Sequence, residues 1–166
     1  MSTLIISQPA HALISTIIGE FFSYFNRYGT MSTAHLFHNF LCATMSLSNR
    51  KGGSRVGAAK MLENANAAIV VIADESKTDV WVEDCSIAMS NMHLAASTLG
   101  IGSCWIQGRL RMTPYDTTTE DYLRDLLGYP ADYRLEATLS LGMPAEEKAQ
   151  TELSALSVDK IHYEKY

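Results

Sequence analysis

The sequence predicts an α+β domain in which helices cover a small sheet. Three observations support this fold class: a continuous apolar, β-branched run at Ala67–Ala73, a long helical pattern at Val80–Leu99, and shorter strand and helix patterns after it. An apolar run without alternation is typical of a strand buried on both faces. A few strands mixed with helices favour helices packed on one sheet. The length of 166 residues fits one domain, residues 1–166.

The first third of the chain predicts helices and a loop. Apolar residues recur at helical spacing over His11–Tyr28, and Gly29 ends that pattern. Leu36–Met45 predicts a second helix, and Asn49–Gly57 predicts a loop because it is rich in glycine and polar residues. Lys60–Asn64 predicts a short helical turn before the buried strand.

The strongest helix prediction is Val80–Leu99. Asp79 is placed to cap its N-terminus, and Gly100 is placed to end it. Its apolar residues recur at spacings of four and three and form a narrow seam, which consists of Trp81, Cys85, Ala88, Met92, Ala95 and Leu99. Small residues beside this seam allow a second helix to approach closely.

Three further elements follow. Ser103–Gln107 predicts a short strand, Thr118–Leu127 a helix ended by Gly128, and Ala137–Leu141 another strand. The chain closes on a polar tail that ends in HYEKY and predicts no core of its own.

Composition and charge exclude several functions. The net charge of −5 and the sequence pI of about 5.5 argue against nucleic-acid binding. No run of about 18 apolar residues predicts a transmembrane helix, so we expect no membrane partner. Three cysteines, an odd number, argue against a disulfide framework and favour the reducing cytoplasm.

Residues 1–55 differ in amino-acid composition from the rest of the chain. They carry one acid and four bases, and they hold all five phenylalanines of the chain. A targeting segment is disfavoured because no basic start precedes the apolar run. Two explanations stay open: a divergent helical subregion that packs on the rest, or translation from a shifted reading frame.

Few residues suggest side-chain catalysis. Gly100-Ile101-Gly102 follows a predicted helix and precedes a strand, which is the reverse of a dinucleotide-binding loop, so a helix end and turn are favoured. The cysteines and His35-x-x-His38 lack paired metal-ligand spacing, and no nucleophile elbow is present. We therefore expect no metal site and no catalytic side chain. Four cations near predicted loops or strand ends are either solvated or together anchor an anionic ligand: Lys60, Arg109, Arg111 and Lys148.

From Lys60 onward the chain resembles the FMN-dependent nitroreductase family. The resemblance rests on KMLENANAAIVVIADESK, on WVEDCSIAMSNMHLAASTLGIGSCWIQG, on LRDLLGYPADYRLEATLSLGMPAEEK and on the terminal DKIHYEKY. It implies a mixed sheet flanked by helices in an intertwined homodimer, with Val80–Leu99 at the subunit interface. It also implies FMN bound between the subunits and a tail that reaches across the partner.

The resemblance also assigns cofactor-binding residues. Lys60 would lie near the N1/O2 edge of the flavin, where it would stabilise the negative charge of the reduced ring. Trp105, Ile106, Gln107 and Gly108 would pass the ring, with a backbone amide donating near N5. Lys148 would bind the phosphate. The implied reaction is ping-pong hydride transfer from NAD(P)H to FMN and then to a small nitroaromatic or quinone acceptor.

Residues 1–55 depart from the family pattern. The family opens with an RRSxR-like segment that grips the FMN phosphate and a PSxxNxQPWxF-like segment that lines the flavin, and residues 1–55 contain neither. In one interpretation Arg50, Lys51 or Arg55 replaces the lost phosphate contacts. In the alternative, the protein is a non-catalytic or weakly flavin-binding dimer of the same fold.

Overall fold

The computed structural model describes residues 16, 19, 40–44, 60–147 and 149–165. These residues form four strands and two long helices, which are β1 (Phe40–Thr44), β2 (Ala67–Asp74), α1 (Trp81–Thr98), β3 (Gly102–Gln107), α2 (Thr119–Leu127) and β4 (Tyr133–Gly142). Short 3-10 helices lie at Lys60–Leu62, Leu153–Ala155 and Val158–Lys160. The predicted α+β class is confirmed.

The sheet has the order β1-β2-β4-β3, and every described strand pair is antiparallel. β4 lies between β2 and β3, so Leu141 is opposite Ala67 on one side and Ser103 on the other. β3 pairs only with β4 among the described strands, which leaves its outer side at the edge of this sheet.

Both faces of the sheet are covered, because every residue of β2 is buried. Alternate side chains of β2 enter two separate cores. Ala67, Ile69, Val71 and Ala73 enter the core on the α1 side, which contains Cys85, Ala88, Met89, Met92 and Ala96 of the helix. Ala68, Val70 and Ile72 enter the core on the α2 side, which contains Leu62, Ile106, Leu123, Tyr129 and Leu135.

A β-bulge at Glu136 interrupts β4. Val71 is opposite Ala137, but the next residue of β2, Ile72, is opposite Leu135. Glu136 is therefore the extra residue of β4, and a bulge of this kind bends the strand and redirects its side chains. As a result Ala137 belongs to the α1-side core and Leu135 to the α2-side core.

Among the described residues, the structure departs most from the predicted elements in two places. Leu36–Met45 does not form a helix throughout, because Phe40–Thr44 is a strand that pairs with β2. β4 begins at Tyr133, four residues before the predicted start at Ala137. Of the predicted helix His11–Tyr28 only residues 16 and 19 are described, and both are helical. The loop Asn49–Gly57 lies outside the described residues.

Both helices end at their predicted glycine, but only α2 has a side-chain cap at its start. Gly100 has a φ of +69°, and Ile101 N–H donates to the Ala96 carbonyl, as in a glycine-ended helix. Thr118 caps α2 by accepting from Asp121 N–H, and Gly128 ends it. The predicted Asp79 cap is wrong, because α1 begins after Val80 without a side-chain cap bond. No helix of the described residues has the length and hydropathy needed to cross a membrane.

Glu120 joins α2 to the start of β4. Its carboxylate accepts from Leu135 N–H at 2.8 Å, Arg124 Nη2 at 2.9 Å and Arg134 Nη1 at 3.0 Å. Its carbonyl accepts from the Tyr129 hydroxyl at 2.8 Å. Burial raises the pKa of the Tyr129 phenol, so that hydroxyl stays protonated and keeps this bond.

We expect Glu120→Ala to lower the free energy of unfolding by about 1.5–3 kcal/mol, because it removes an acceptor shared by two guanidinium groups and a backbone N–H. Glu75→Ala is the control, since Glu75 forms only an exposed ion pair with Arg134; it should cost about 0–1 kcal/mol. Urea unfolding followed by circular dichroism measures both values. Equal losses would contradict the assigned role of Glu120.

Candidate functional site

A chain of side-chain hydrogen bonds fixes the end of β3. Trp105 Nε1 donates to Gln107 Oε1 at 2.9 Å. Gln107 Nε2 donates to Glu136 Oε1 at 3.0 Å and to the Glu136 carbonyl at 3.1 Å. Because the amide oxygen of Gln107 accepts and its amide nitrogen donates, the side chain has one favoured orientation. We call Trp105, Gln107, Gly108, Arg109 and Glu136 the β3-end cluster.

The backbone at the end of β3 directs the Gly108 amide toward β4, where it donates to the Glu136 carbonyl at 3.2 Å. The Arg109 amide, in the turn beyond the strand, donates to the same carbonyl at 2.9 Å. Hydrogen-bonding direction alternates along an antiparallel strand. The amides of Gln107 and Trp105 therefore point to the outer edge of β3, where the described sheet has no further strand. That edge can donate hydrogen bonds to a ligand.

Gly108 has no space for a side chain. A Cβ atom at this position would lie 2.6 Å from Cδ2 of Leu135, which is a buried residue of the α2-side core. Only glycine permits β3 to approach the bulge of β4 this closely. The position of Gly108 is thus set by packing.

Glu136 is the residue of the cluster that sequence reasoning did not single out. It is 3% exposed, and its Oε2 atom has no hydrogen-bond partner. Arg109 Nε lies 4.0 Å from that oxygen, and the Arg109 guanidinium lies 5.5 Å from the Trp81 ring centroid at the start of α1. A signal was present in the sequence, since Glu136 is the only charged residue in the otherwise uncharged run 135–142.

The structure brings some of the predicted site residues together and separates others. Trp105, Gln107 and Gly108 meet in the β3-end cluster, whereas the Ile106 side chain is buried in the α2-side core. Lys60 is exposed at the start of a 3-10 helix whose last residue, Leu62, belongs to that same α2-side core. Lys148 lies outside the described residues.

An apolar loop follows the cluster. Leu110 has a φ of +55°, an uncommon conformation for a residue with a side chain, and is 80% exposed. Arg111 N–H donates to the Gly108 carbonyl and closes the turn. Met112 and Tyr115 are also exposed. The loop therefore presents exposed apolar side chains directly after the end of β3.

The described residues provide little for nucleophilic or metal chemistry. His93 Nδ1 lies 2.5 Å from Ser103 Oγ, but no carboxylate in the described part of the chain bonds to His93 and orients the imidazole of this exposed pair. Cys85 is buried, Cys104 is partly buried, and neither forms a disulfide. No cluster of three or more potential metal ligands occurs among residues 60–147 and the other described positions.

Burial and the neighbouring Glu83 raise the pKa of Asp84 in the first turn of α1. This carboxyl lies on the helix whose first residue, Trp81, carries the Arg109 guanidinium over its ring. Trp81, at the start of α1, therefore adds an aromatic surface beside Arg109 of the β3-end cluster.

The model of the nitroreductase family matches residues 32–143. A curated relative from Archaeoglobus fulgidus, named as a candidate NADH dehydrogenase/NAD(P)H nitroreductase, is 43% identical over 112 residues, or 64% of this chain and 62% of that protein. A relative of the same name from Methanothermobacter thermautotrophicus is 35% identical over 109 residues, or 64% of this chain and 53% of its own length. The match thus spans less than two thirds of either relative.

Solved structures share the fold along nearly the whole chain. The FMN-dependent nitroreductase of Clostridium difficile R20291 has a TM-score of 0.78 and 31% identity, and the match covers 98% of this chain and 90% of that one. A protein from Parabacteroides distasonis has a TM-score of 0.70 and 21% identity, and the match covers 98% of this chain and 88% of that one. A nitroreductase with bound FMN from Desulfitobacterium hafniense has a TM-score of 0.64 and 16% identity, and the match covers 96% of this chain and 89% of that one.

We expect Gly108→Ala to lower the free energy of unfolding by about 1–3 kcal/mol, because the added methyl group overlaps Leu135. Leu135→Ala removes the overlapping atoms, so Gly108→Ala should cost much less in that background. A double-mutant cycle measured by chemical denaturation tests this coupling. Purely additive losses would contradict the steric explanation.

Proposed function

The chain belongs to the nitroreductase family, and from this premise we propose that it is an FMN-dependent NAD(P)H oxidoreductase that reduces nitroaromatic or quinone-type acceptors by ping-pong hydride transfer. The observation that carries the proposal is the likeness along almost the entire chain to the C. difficile FMN-dependent nitroreductase. FMN, when bound, supplies the hydride-transfer chemistry, so no catalytic side chain is required.

The β3 edge fits a flat, hydrogen-bonding cofactor. The outward amide of Gln107 is the donor best placed for flavin N5, because the Gly108 amide already donates to the Glu136 carbonyl. The Gln107 side chain is engaged by Trp105 and Glu136, so its backbone contributes the ligand contact. The exposed loop at Leu110 and Met112 adds apolar surface that would exclude water.

Cations complete the proposed cofactor site. The exposed Lys60 would stabilise negative charge at the N1/O2 edge of reduced flavin. Lys148, together with Arg50, Lys51 or Arg55, would bind the phosphate in place of the family's opening arginines. These four residues lie outside the described part of the chain, so their role rests on charge and on the family resemblance.

We further propose that the functional unit is a homodimer joined through α1. Ile87 and Leu94 of this helix are 51% and 64% exposed, although the opposite face packs on the sheet. The described tail also exposes large apolar residues, which are Leu153, Leu156, Val158, Ile161 and Tyr163. Apolar surface on this scale marks an interaction site, and a second copy whose tail crosses the partner would cover it.

The second candidate is a dimer of the same fold that binds flavin weakly and does not catalyse redox chemistry. The observation that favours it is the lack of the family's phosphate-binding arginine pattern in residues 1–55. A cytoplasmic location is proposed for either candidate, because neither Cys85 nor Cys104 forms a disulfide.

We expect the purified protein to bind FMN and to oxidise NADH or NADPH in the presence of a nitroaromatic or quinone. Absorbance between the near ultraviolet and blue detects the oxidised flavin, and stopped-flow absorbance with each nucleotide separates the two half-reactions. A colourless protein that gains no flavin on titration would overturn the proposal. A flavin-binding protein that oxidises neither nucleotide would favour the second candidate.

Lys60→Ala should weaken FMN binding or slow flavin reduction about tenfold, because it removes a cation from the proposed N1/O2 edge. Lys77→Ala is the control, since Lys77 is also an exposed lysine and lies in the turn beyond the opposite end of β2. Fluorescence titration gives the dissociation constant, and stopped-flow absorbance gives the reduction rate. Unchanged values for Lys60→Ala would remove this residue from the site.

Leu94→Glu should convert the dimer to a monomer, because it buries a charge at the proposed interface. Leu94→Ala controls for the loss of side-chain size and should leave a dimer. Light scattering coupled to size-exclusion chromatography measures the mass. A wild-type protein of 18.3 kDa in solution would contradict the dimer.

A further inference from the structure

We propose that Glu136 is a positioning residue for the cofactor: it holds Gln107 so that the outward backbone amide of Gln107 is presented in one fixed orientation. This inference rests on the proposed function and deepens it. The family resemblance gives Glu136 no role, and the predicted site residues do not include it; the role is inferred from the geometry of the β4 bulge.

The side chain of Glu136 has one specific task in the cluster. Its backbone carbonyl accepts from Gly108 N–H, Arg109 N–H and Gln107 Nε2, and any residue at this position would supply that carbonyl. The bond from Gln107 Nε2 to Oε1 requires a side-chain acceptor. Glutamine could replace glutamate in that bond, whereas alanine could not.

The bulge aims this acceptor at Gln107. Glu136 is the extra residue of β4, and its side chain meets Gln107 on the side of the sheet where Trp105 packs against the α1-side core. Without the extra residue, Leu135 and Ala137 would share one face and Glu136 would point to the other. Bulges commonly redirect a side chain beside an active site.

The burial of Glu136 is poorly explained by stability alone. The residue is 3% exposed, Oε2 has no hydrogen-bond partner, and Arg109 Nε at 4.0 Å is beyond hydrogen-bond distance. A buried carboxyl with an unsatisfied oxygen destabilises a fold relative to a well-packed apolar residue. The presence of a side-chain acceptor at position 136 is explained if Glu136 orders Gln107, and with it the β3 edge, for a ligand.

The test compares the FMN affinities of three single variants with that of the wild type. Glu136→Ala should weaken FMN binding about 3- to 10-fold, because binding must then order the Gln107 segment. Gln107→Leu should have an effect at least as large, since it removes the same bond together with those to Trp105 Nε1 and the Glu136 carbonyl. Glu136→Gln retains an acceptor and should bind within about twofold of the wild type. Asp125→Asn, an exposed carboxylate on α2, is the control and should have no effect.

The double variant Glu136→Ala/Gln107→Leu separates positioning from a general structural effect. If Glu136 acts through Gln107, the double variant binds FMN no more weakly than the weaker single variant. Losses that multiply would overturn the inference, as would equal weakening by Glu136→Gln and Glu136→Ala. Thermal melting of each apoprotein confirms that the variants are folded. If Glu136→Ala does not fold, the FMN affinities of Gln107→Leu and Glu136→Gln are compared instead. Weaker binding by Gln107→Leu alone supports the inference, and equal affinities overturn it.

The outcomes also separate this inference from the proposed function. A wild-type protein that binds no FMN contradicts the proposed function. A wild-type protein that binds FMN with the same affinity as folded Glu136→Ala and Gln107→Leu contradicts only the role of Glu136.

Discussion

The structure depends on the burial of β2 on both faces. A strand with eight buried residues requires an apolar layer on each side, and α1 and α2 supply those layers. The strand pairs on either side of β2 satisfy its backbone groups, which would otherwise be buried without partners. The position of β3 follows, because β4 pairs with β2 and leaves its other side to β3. The edge of the sheet that we propose for cofactor binding is thus a consequence of how β2 is covered.

The sequence predicted the elements whose signals are local. Ala67–Asp74 and Trp81–Thr98 agree with their predictions because a continuous apolar run and a helical seam are periodic along the chain. Phe40–Thr44 was predicted as a helix because its strand identity depends on pairing with β2, which lies more than 20 residues away. The start of β4 was missed because the bulge at Glu136 makes the strand change faces, so Tyr133–Glu136 lacks the apolar pattern of Ala137–Leu141.

In the candidate site too, local sequence motifs predicted some residues, whereas others are brought together only by the fold. Family motifs assigned Trp105, Ile106, Gln107 and Gly108 as a contiguous segment, and the structure distinguishes their roles: Ile106 packs in a core, Gly108 permits a close approach, and Gln107 directs its amide outward. Glu136 is 29 residues from Gln107 in sequence. Only the strand register brings the two together, so no pattern within either segment indicates the pair.

The central position of β4 constrains how this protein is made. β2 and β3 are complete by Gln107, but the strand that separates them ends at Gly142. A nascent chain that has left the ribosome only as far as Gln107 therefore presents the edges of β2 and β3 that β4 later pairs with, and these edges have no partner yet. Such edges template association between nascent chains. Fast synthesis through the α2 segment, or a chaperone that shields these edges, would favour recovery of the native molecule over aggregation in the cell.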